Sequence, residues 1–227
     1  FLLVLAFVPR RKPVGEVARQ KVLAGVRFLL GDPLLGPIAG VVVAFGFLGA
    51  GLSAGLPFYA FEEFDGSSRI AGLFYAALGA GALVGSVAAV AAVRRVPPLR
   101  LSGSAILAFS IPLWVLPFLP PWPVVLVALF AAMFFTPLIN GPLIAVLTAR
   151  TPEALRALVI TAVLSINTPA APLGFIVAGQ VLERWGVVPL FAATVAGVTS
   201  MAVVYAAIVL RHRDADVGIT QPEPATT

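Results

Sequence analysis

The sequence predicts an all-helical membrane protein, and three observations carry that prediction. First, 60% of the 227 residues are hydrophobic, only 11% are charged and mean hydropathy is +1.04. Soluble domains run nearer 45–50% apolar and about 25% charged, and one this apolar would expose more hydrophobic surface than water tolerates. Second, six segments are long and apolar enough to cross a bilayer as helices, which takes about 20 residues each. Third, all 25 charged residues lie in loops, at segment edges or in the terminal regions. A soluble amphipathic helix would carry charges every few residues, and outer-membrane strands would be about 10 residues long and alternate in polarity.

The six expected spans are Leu34–Phe61, Ile70–Val93, Leu99–Leu119, Trp122–Thr148, Ala157–Leu182 and Val187–Leu210. Together they make a bundle over residues 34–210. Residues 1–8 form an apolar octapeptide followed by Arg10, Arg11 and Lys12. A signal peptide has its charges before the apolar run, so the octapeptide reads as the end of a truncated span. Together with a first residue that is Phe, it makes the sequence read as the C-terminal part of a longer protein. Residues 9–33 form a basic linker. There Val14, Val17, Ala18, Val22, Gly25, Val26 and Leu29 recur at helical spacing among Arg19, Lys21 and Arg27, as in an amphipathic helix on a membrane surface. Asp32 before Pro33 is a helix-start signal, a capping carboxylate preceding proline at the first helical position. Residues 211–227 form a polar tail, expected to be disordered.

Orientation follows from the basic residues. Alternate connecting segments hold 6, 3, 2 and 2 Lys or Arg, 13 in all, and the other set holds 1, 0 and 1, or 2 in all. The basic set belongs in the cytoplasm, which leaves the C-terminus inside. Trp122 and Trp185 fall at the outer ends of spans, where aromatic belts sit. The same distribution argues against nucleic acid as a partner, because the basic residues lie in short clusters between apolar runs and not along one polar face. The partners expected are the lipid bilayer and a small-molecule substrate.

Within the spans, Gly46, Gly49, Gly51 and Gly55 recur in the first, and Gly79, Gly81 and Gly85 in the second. Small residues let membrane helices approach closely, which either packs the bundle or lets one face slide on a partner bundle. Pro137 and Pro142 in the fourth span and Pro169 and Pro172 in the fifth each remove a backbone donor and are expected to bend or break their helices. Two central helices interrupted in this way favour a transport pathway over a static anchor.

The candidate site residues are uncharged. Thr136 and Asn140 share one face of the fourth span, and Asn167 lies near the middle of the fifth. Phe134, Phe45, Ser53 and Tyr59 are further candidates for cavity lining. Taken singly, each polar residue is better explained by an interhelical hydrogen bond, worth about 0.6 kcal/mol on average. As a set they describe a mostly apolar cavity with a few hydrogen-bonding groups. Proton relays use intramembrane Asp, Glu or His, and the expected spans contain none. There is no cysteine, no H-E-x-x-H, no Walker loop and no G-x-S-x-G. No enzymatic activity, metal or cofactor is expected.

Several segments resemble the major facilitator superfamily, in particular bacterial drug and siderophore exporters of the macrolide-efflux and enterobactin-exporter type. Gly25-Val26-Arg27-Phe28-Leu29-Leu30-Gly31-Asp32-Pro33-Leu34-Leu35 is similar to the family's approach to its seventh helix. Thr151-Pro152-Glu153-Ala154-Leu155-Arg156-Ala157 is similar to the loop between its tenth and eleventh. Pro172-Leu173-Gly174, with Gly179 and Leu182-Glu183-Arg184-Trp185-Gly186, is similar to its eleventh helix and exit. The resemblance implies the C-terminal six-helix half of a twelve-helix transporter, its partner the missing N-terminal half, working by rocking around a midplane site. It also implies that the first and fourth spans line the cavity, which favours Asn140 and Thr136, and that cargo is exported. The family's loop between the eighth and ninth helices carries a Gly-x-x-x-Asp-Arg-x-Gly-Arg-Arg pattern. Here Arg94, Arg95 and Arg100 remain as gating-loop candidates, while the Asp and turn Gly are gone, which leaves orientation as their simpler role. A six-helix permease or channel-like subunit, oligomeric or ATP-driven, is the alternative reading.

Overall fold

A computed structural model describes residues 25–212. The expected truncated span at 1–8, the linker up to residue 24 and the tail from residue 213 lie outside the described residues. All regular structure described is helical. After a helical stretch over residues 25–31 come α1 (Leu35–Glu63), α2 (Ser68–Val93), α3 (Pro98–Leu113) with a 3-10 turn at Leu116–Phe118, α4 (Trp122–Arg150), α5 (Glu153–Asn167), α6 (Ala170–Trp185) and α7 (Val187–Arg211). Six spans long and apolar enough to cross a membrane result, with α5 and α6 forming one of them. A 29-residue helix such as α1 is about 43 Å long at 1.5 Å per residue, beyond the roughly 30 Å of hydrocarbon. Its ends therefore reach the interfaces, where Glu62 and Glu63 sit.

The start of α1 shows how sequence sets an element boundary. Asp32 Oδ1 accepts hydrogen bonds from the backbone N–H of Leu34 at 2.8 Å and Leu35 at 3.0 Å, and the Gly36 N–H donates to the Asp32 carbonyl at 3.1 Å. Asp32 is thus the cap and Pro33 the first helical residue, two positions ahead of the assigned start, a normal spread in boundary assignment. The other carboxylate oxygen, Oδ2, lies 3.5 Å from Arg150 Nη2 at the end of α4. Arg156 Nε donates to the Thr148 and Thr151 carbonyls at 3.0 and 3.3 Å, closing the C-terminus of α4 from α5.

Packing depends on small residues, because lipid supplies no hydrophobic drive between helices. The buried residues of α2 are Phe74, Gly81, Gly85 and Ala89, a stripe on one face, while Leu83, Val87 and Val90 are exposed. Gly81 and Gly85 rest on the backbone of Phe130 and Phe134 in α4, so closely that a Cβ at either would collide with a carbonyl. Gly174 in α6 meets the Phe47 carbonyl of α1 in the same manner. The main helix pairings are α2 with α4, α3 with α4, α1 with α6, α1 with α7 and α3 with α7. Exchanging the first three spans for the last three maps this set onto itself, which is the signature of an inverted repeat.

The prolines differ in what they do to their helices. Pro137 and Pro142 lie inside α4, yet the helix is assigned unbroken from Trp122 to Arg150. The third span leaves α-helix after Leu113 for its 3-10 turn, and the fifth breaks between Asn167 and Ala170 at Thr168-Pro169. There Pro169 and Pro172 deprive the Ser165 and Thr168 carbonyls of their usual donors. A fifth in-span proline, Pro57, sits inside α1.

Candidate functional site

Each in-span proline frees the carbonyl four residues before it. Pro57 frees that of Ser53, and the hydroxyl of Tyr75 on α2 donates to it at 3.0 Å. Pro137 frees that of Met133. Both Ser53 and Met133 belong to the wall of a cavity of about 500 Å³. It opens among α1, α4 and α7, with α3 and the broken α5–α6 span completing it.

Five expected site residues line this cavity, namely Phe45, Ser53, Thr136, Asn140 and Asn167. Two do not. Tyr59 is fully buried in the aromatic cluster with Phe64, Phe74 and Phe191, and its hydroxyl donates to the Pro120 carbonyl. Its phenol ring serves the core and its polar tip the neighbouring loop. Phe134 packs with Ala89, Leu101, Ala105 and Phe135 on the opposite side of α4, edge-on to Phe135, because Gly85 of α2 takes its backbone at that level. Arg94, Arg95 and Arg100 lie exposed around the α2–α3 connection, away from the cavity.

The sequence reading missed Thr194 and Tyr205, which α7 contributes to the wall. Thr194 is 5% exposed and faces Gly51 of α1, where a Cβ would come within 2.5 Å of its Oγ1. The signal was available, since a lone Thr amid apolar residues at this depth is the same cue that singled out Thr136. Tyr205 shares a 2.8 Å hydrogen bond with Ser102 on α3, pinning α7 to α3 at the cavity's end.

The lining contains no Asp, Glu, Lys, Arg or His. Its polar groups are largely unspent. Thr136 donates only to the Met133 thioether at 3.4 Å, a weak acceptor. The side chains of Ser53, Asn140 and Thr194 make no hydrogen bond to a described residue. Asn167 Oδ1 is buried without a hydrogen-bond partner among the described residues. It rests against Gly46, where a Cβ would lie 2.5 Å away. A buried orphan of this kind costs about 1–3 kcal/mol, so the site is not optimised for its own closure. Phe45 and Phe109, tilted at 6.1 Å between ring centres, supply an aromatic wall. The arrangement offers hydroxyl and amide hydrogen-bonding groups in a mostly apolar wall, with no ionisable Asp, Glu, Lys, Arg or His beside them among the described residues.

No curated protein and no solved structure matches the chain. One family model does, that of the Major Facilitator Superfamily, over residues 1–175 of the 227. It runs from the start of the sequence through α1 to α5 and into α6, taking in the helices that carry Asn140 and Asn167. With six apolar spans, an exchange-symmetric set of pairings and a cavity among them, the match makes the chain a multi-pass membrane protein of a transporter family, and it belongs to the Major Facilitator Superfamily.

Proposed function

We propose that the chain is the C-terminal six-helix half of a secondary active transporter that exports small apolar or amphipathic molecules by alternating access. Its partner is an N-terminal six-helix half, and the pair rock about a site near the bilayer midplane. The observation that carries this reading is the cavity itself, apolar over most of its wall, with unspent amide and hydroxyl groups from α1, α4, α5 and α7. A structural anchor would gain nothing from leaving those groups unpaired. Resemblance to drug and siderophore exporters supports export over import. The 13-to-2 division of Lys and Arg supports a bacterial cytoplasmic membrane location with the α1 start, the α4 end and the C-terminus on the cytoplasmic side. With no ionisable group in the lining, coupling to an ion is assigned to the other half.

The test is efflux of dansylamide, a small neutral fluorescent amphiphile, from energised cells expressing the intact transporter. Expression is expected to speed efflux, a protonophore to abolish the gain, and Asn140→Ala with Asn167→Ala to reduce it severalfold. Efflux that survives collapse of all ion gradients but stops on ATP depletion would favour the ATP-driven permease subunit instead.

A further inference from the structure

Hydroxyl groups on the helices of this protein mostly spend their proton locally. Ser86, Ser102, Ser104, Ser110, Thr148, Thr161, Thr168, Thr199 and Ser200 each donate to a carbonyl three or four residues back on their own helix. This is the default for such residues in an apolar medium. The cavity departs from it. Ser53 and Thr194 make no such bond, and the amides of Asn140 and Asn167 have no hydrogen-bond partner among the described residues. Four unspent polar groups on four helices therefore surround one space.

Asn167 fixes the sense of the missing bond. Its Oδ1 faces the Cα of Gly46, where a carbonyl oxygen makes a tolerable C–H contact and an NH₂ group would not. What lacks a partner is thus an acceptor, and it calls for a donor. The amide also stands at the end of α5, beside the break at Thr168-Pro169, and swinging the whole side chain away from Gly46 would bring its oxygen into the cavity that the residue lines. A charged ligand, by contrast, would shed its hydration against this wall and meet no opposing charge among its described residues.

From this, and resting on the transport reading above, we infer that the cavity selects uncharged amphiphiles bearing at least one N–H or O–H, which donate to the side-chain oxygen of Asn167. Thr194 and Asn140 complete the polar ring, while Phe45 holds the apolar body. The volume of about 500 Å³ is in the range of drug-sized ligands.

The test is fluorescence titration of the protein in lipid nanodiscs with three dansyl probes of nearly equal size. They are dansylamide, a neutral donor; its N,N-dimethyl sulfonamide, neutral without a donor there; and dansyl sulfonate, an anion. Dansylamide is expected to bind at least about tenfold tighter than the dimethyl compound and the sulfonate not measurably. Asn167→Leu should bring dansylamide down to the dimethyl compound's affinity while leaving the latter unchanged. Gly49→Phe serves as the second variant. Gly49 lines the cavity and has open space where its side chain would project, so Phe there should block all binding. Equal binding of the three probes, or an equal loss of both neutral probes in Asn167→Leu, overturns the donor class; if Gly49→Phe still blocks binding, the cavity reading survives. Binding that is indifferent to Gly49→Phe, or absent for every probe, overturns the cavity reading and the ligand class with it.

Discussion

Pro57 has a cost that a residue on a different helix offsets. In an apolar medium a freed carbonyl must find a donor within the protein, and Tyr75 provides one to Ser53 from α2. The hydroxyl thus links α2 to the turn of α1 that carries a cavity residue. Tyr75→Phe keeps the ring and removes only that bond. It should lower stability in detergent by about 1 kcal/mol, read as an earlier thermal transition, whereas Tyr75→Phe in a Pro57→Ala background should cost far less, because the helix then closes its own bond. Asp32 offers a similar separation of roles. Its Oδ1 caps α1 and its Oδ2 pairs with Arg150. Asp32→Asn retains the cap and should cost about 1 kcal/mol or less, as a single 3.5 Å ion pair that still reaches solvent does. Asp32→Ala loses both and should cost about 1 kcal/mol more. Equal losses in the two variants, measured by the same thermal shift, would show that the charge and not the cap matters.

At the scale of the helix, lipid-facing surface and core are equally apolar, so hydrophobicity does not mark which face packs. Glycine does. On α2, Gly85 rests on the Phe134 carbonyl while Gly79 has open space around its missing side chain. Gly85→Ala must push α2 off α4 and is expected to destabilise the bundle by roughly 1–3 kcal/mol, whereas Gly79→Ala should be neutral or slightly stabilising, since alanine restricts the unfolded chain. Size-exclusion profiles after mild heating in detergent distinguish them. The same contrast explains what could be read in advance. The spans were legible because uninterrupted apolar length is a one-dimensional signal, and Asp32-Pro33 was legible because capping is local. The fates of Pro137 and Pro142, against that of Pro169, were not, since whether a proline breaks a helix depends on what neighbours supply to the freed carbonyl. Tyr59 and Phe134 were misplaced for a related reason. In a helix apolar all round, the face a side chain occupies is decided by its contacts, here Phe74, Phe191 and Pro120 for one and Gly85 for the other.

For the molecule as a whole, the exchange symmetry of helix pairings has a mechanical meaning. An inverted repeat presents the same packing to both faces of the membrane, so opening toward either side needs only rearrangement of like contacts. The cavity lies among helices from both repeats, with α1 and α4 as equivalent members, and access to it should therefore alternate. These 227 residues contain no cysteine, so a single Cys substitution is the only thiol they contribute, and the unsubstituted protein sets the background. Glu63→Cys at the end of α1 and Arg94→Cys after α2 mark the two ends of the bundle, and Gly49→Cys marks the cavity. With a membrane-impermeant maleimide added to intact cells, Glu63→Cys should label and Arg94→Cys should not until the membrane is permeabilised. Gly49→Cys should label from outside in one condition and lose most of that reactivity when a saturating cavity ligand or a collapsed ion gradient shifts the population of states, with labelling from the inner side rising in step. Equal labelling of Glu63→Cys and Arg94→Cys from one side would contradict the six-span topology. Labelling of Gly49→Cys that stays fixed from a single side in every condition would leave the topology standing and remove alternating access.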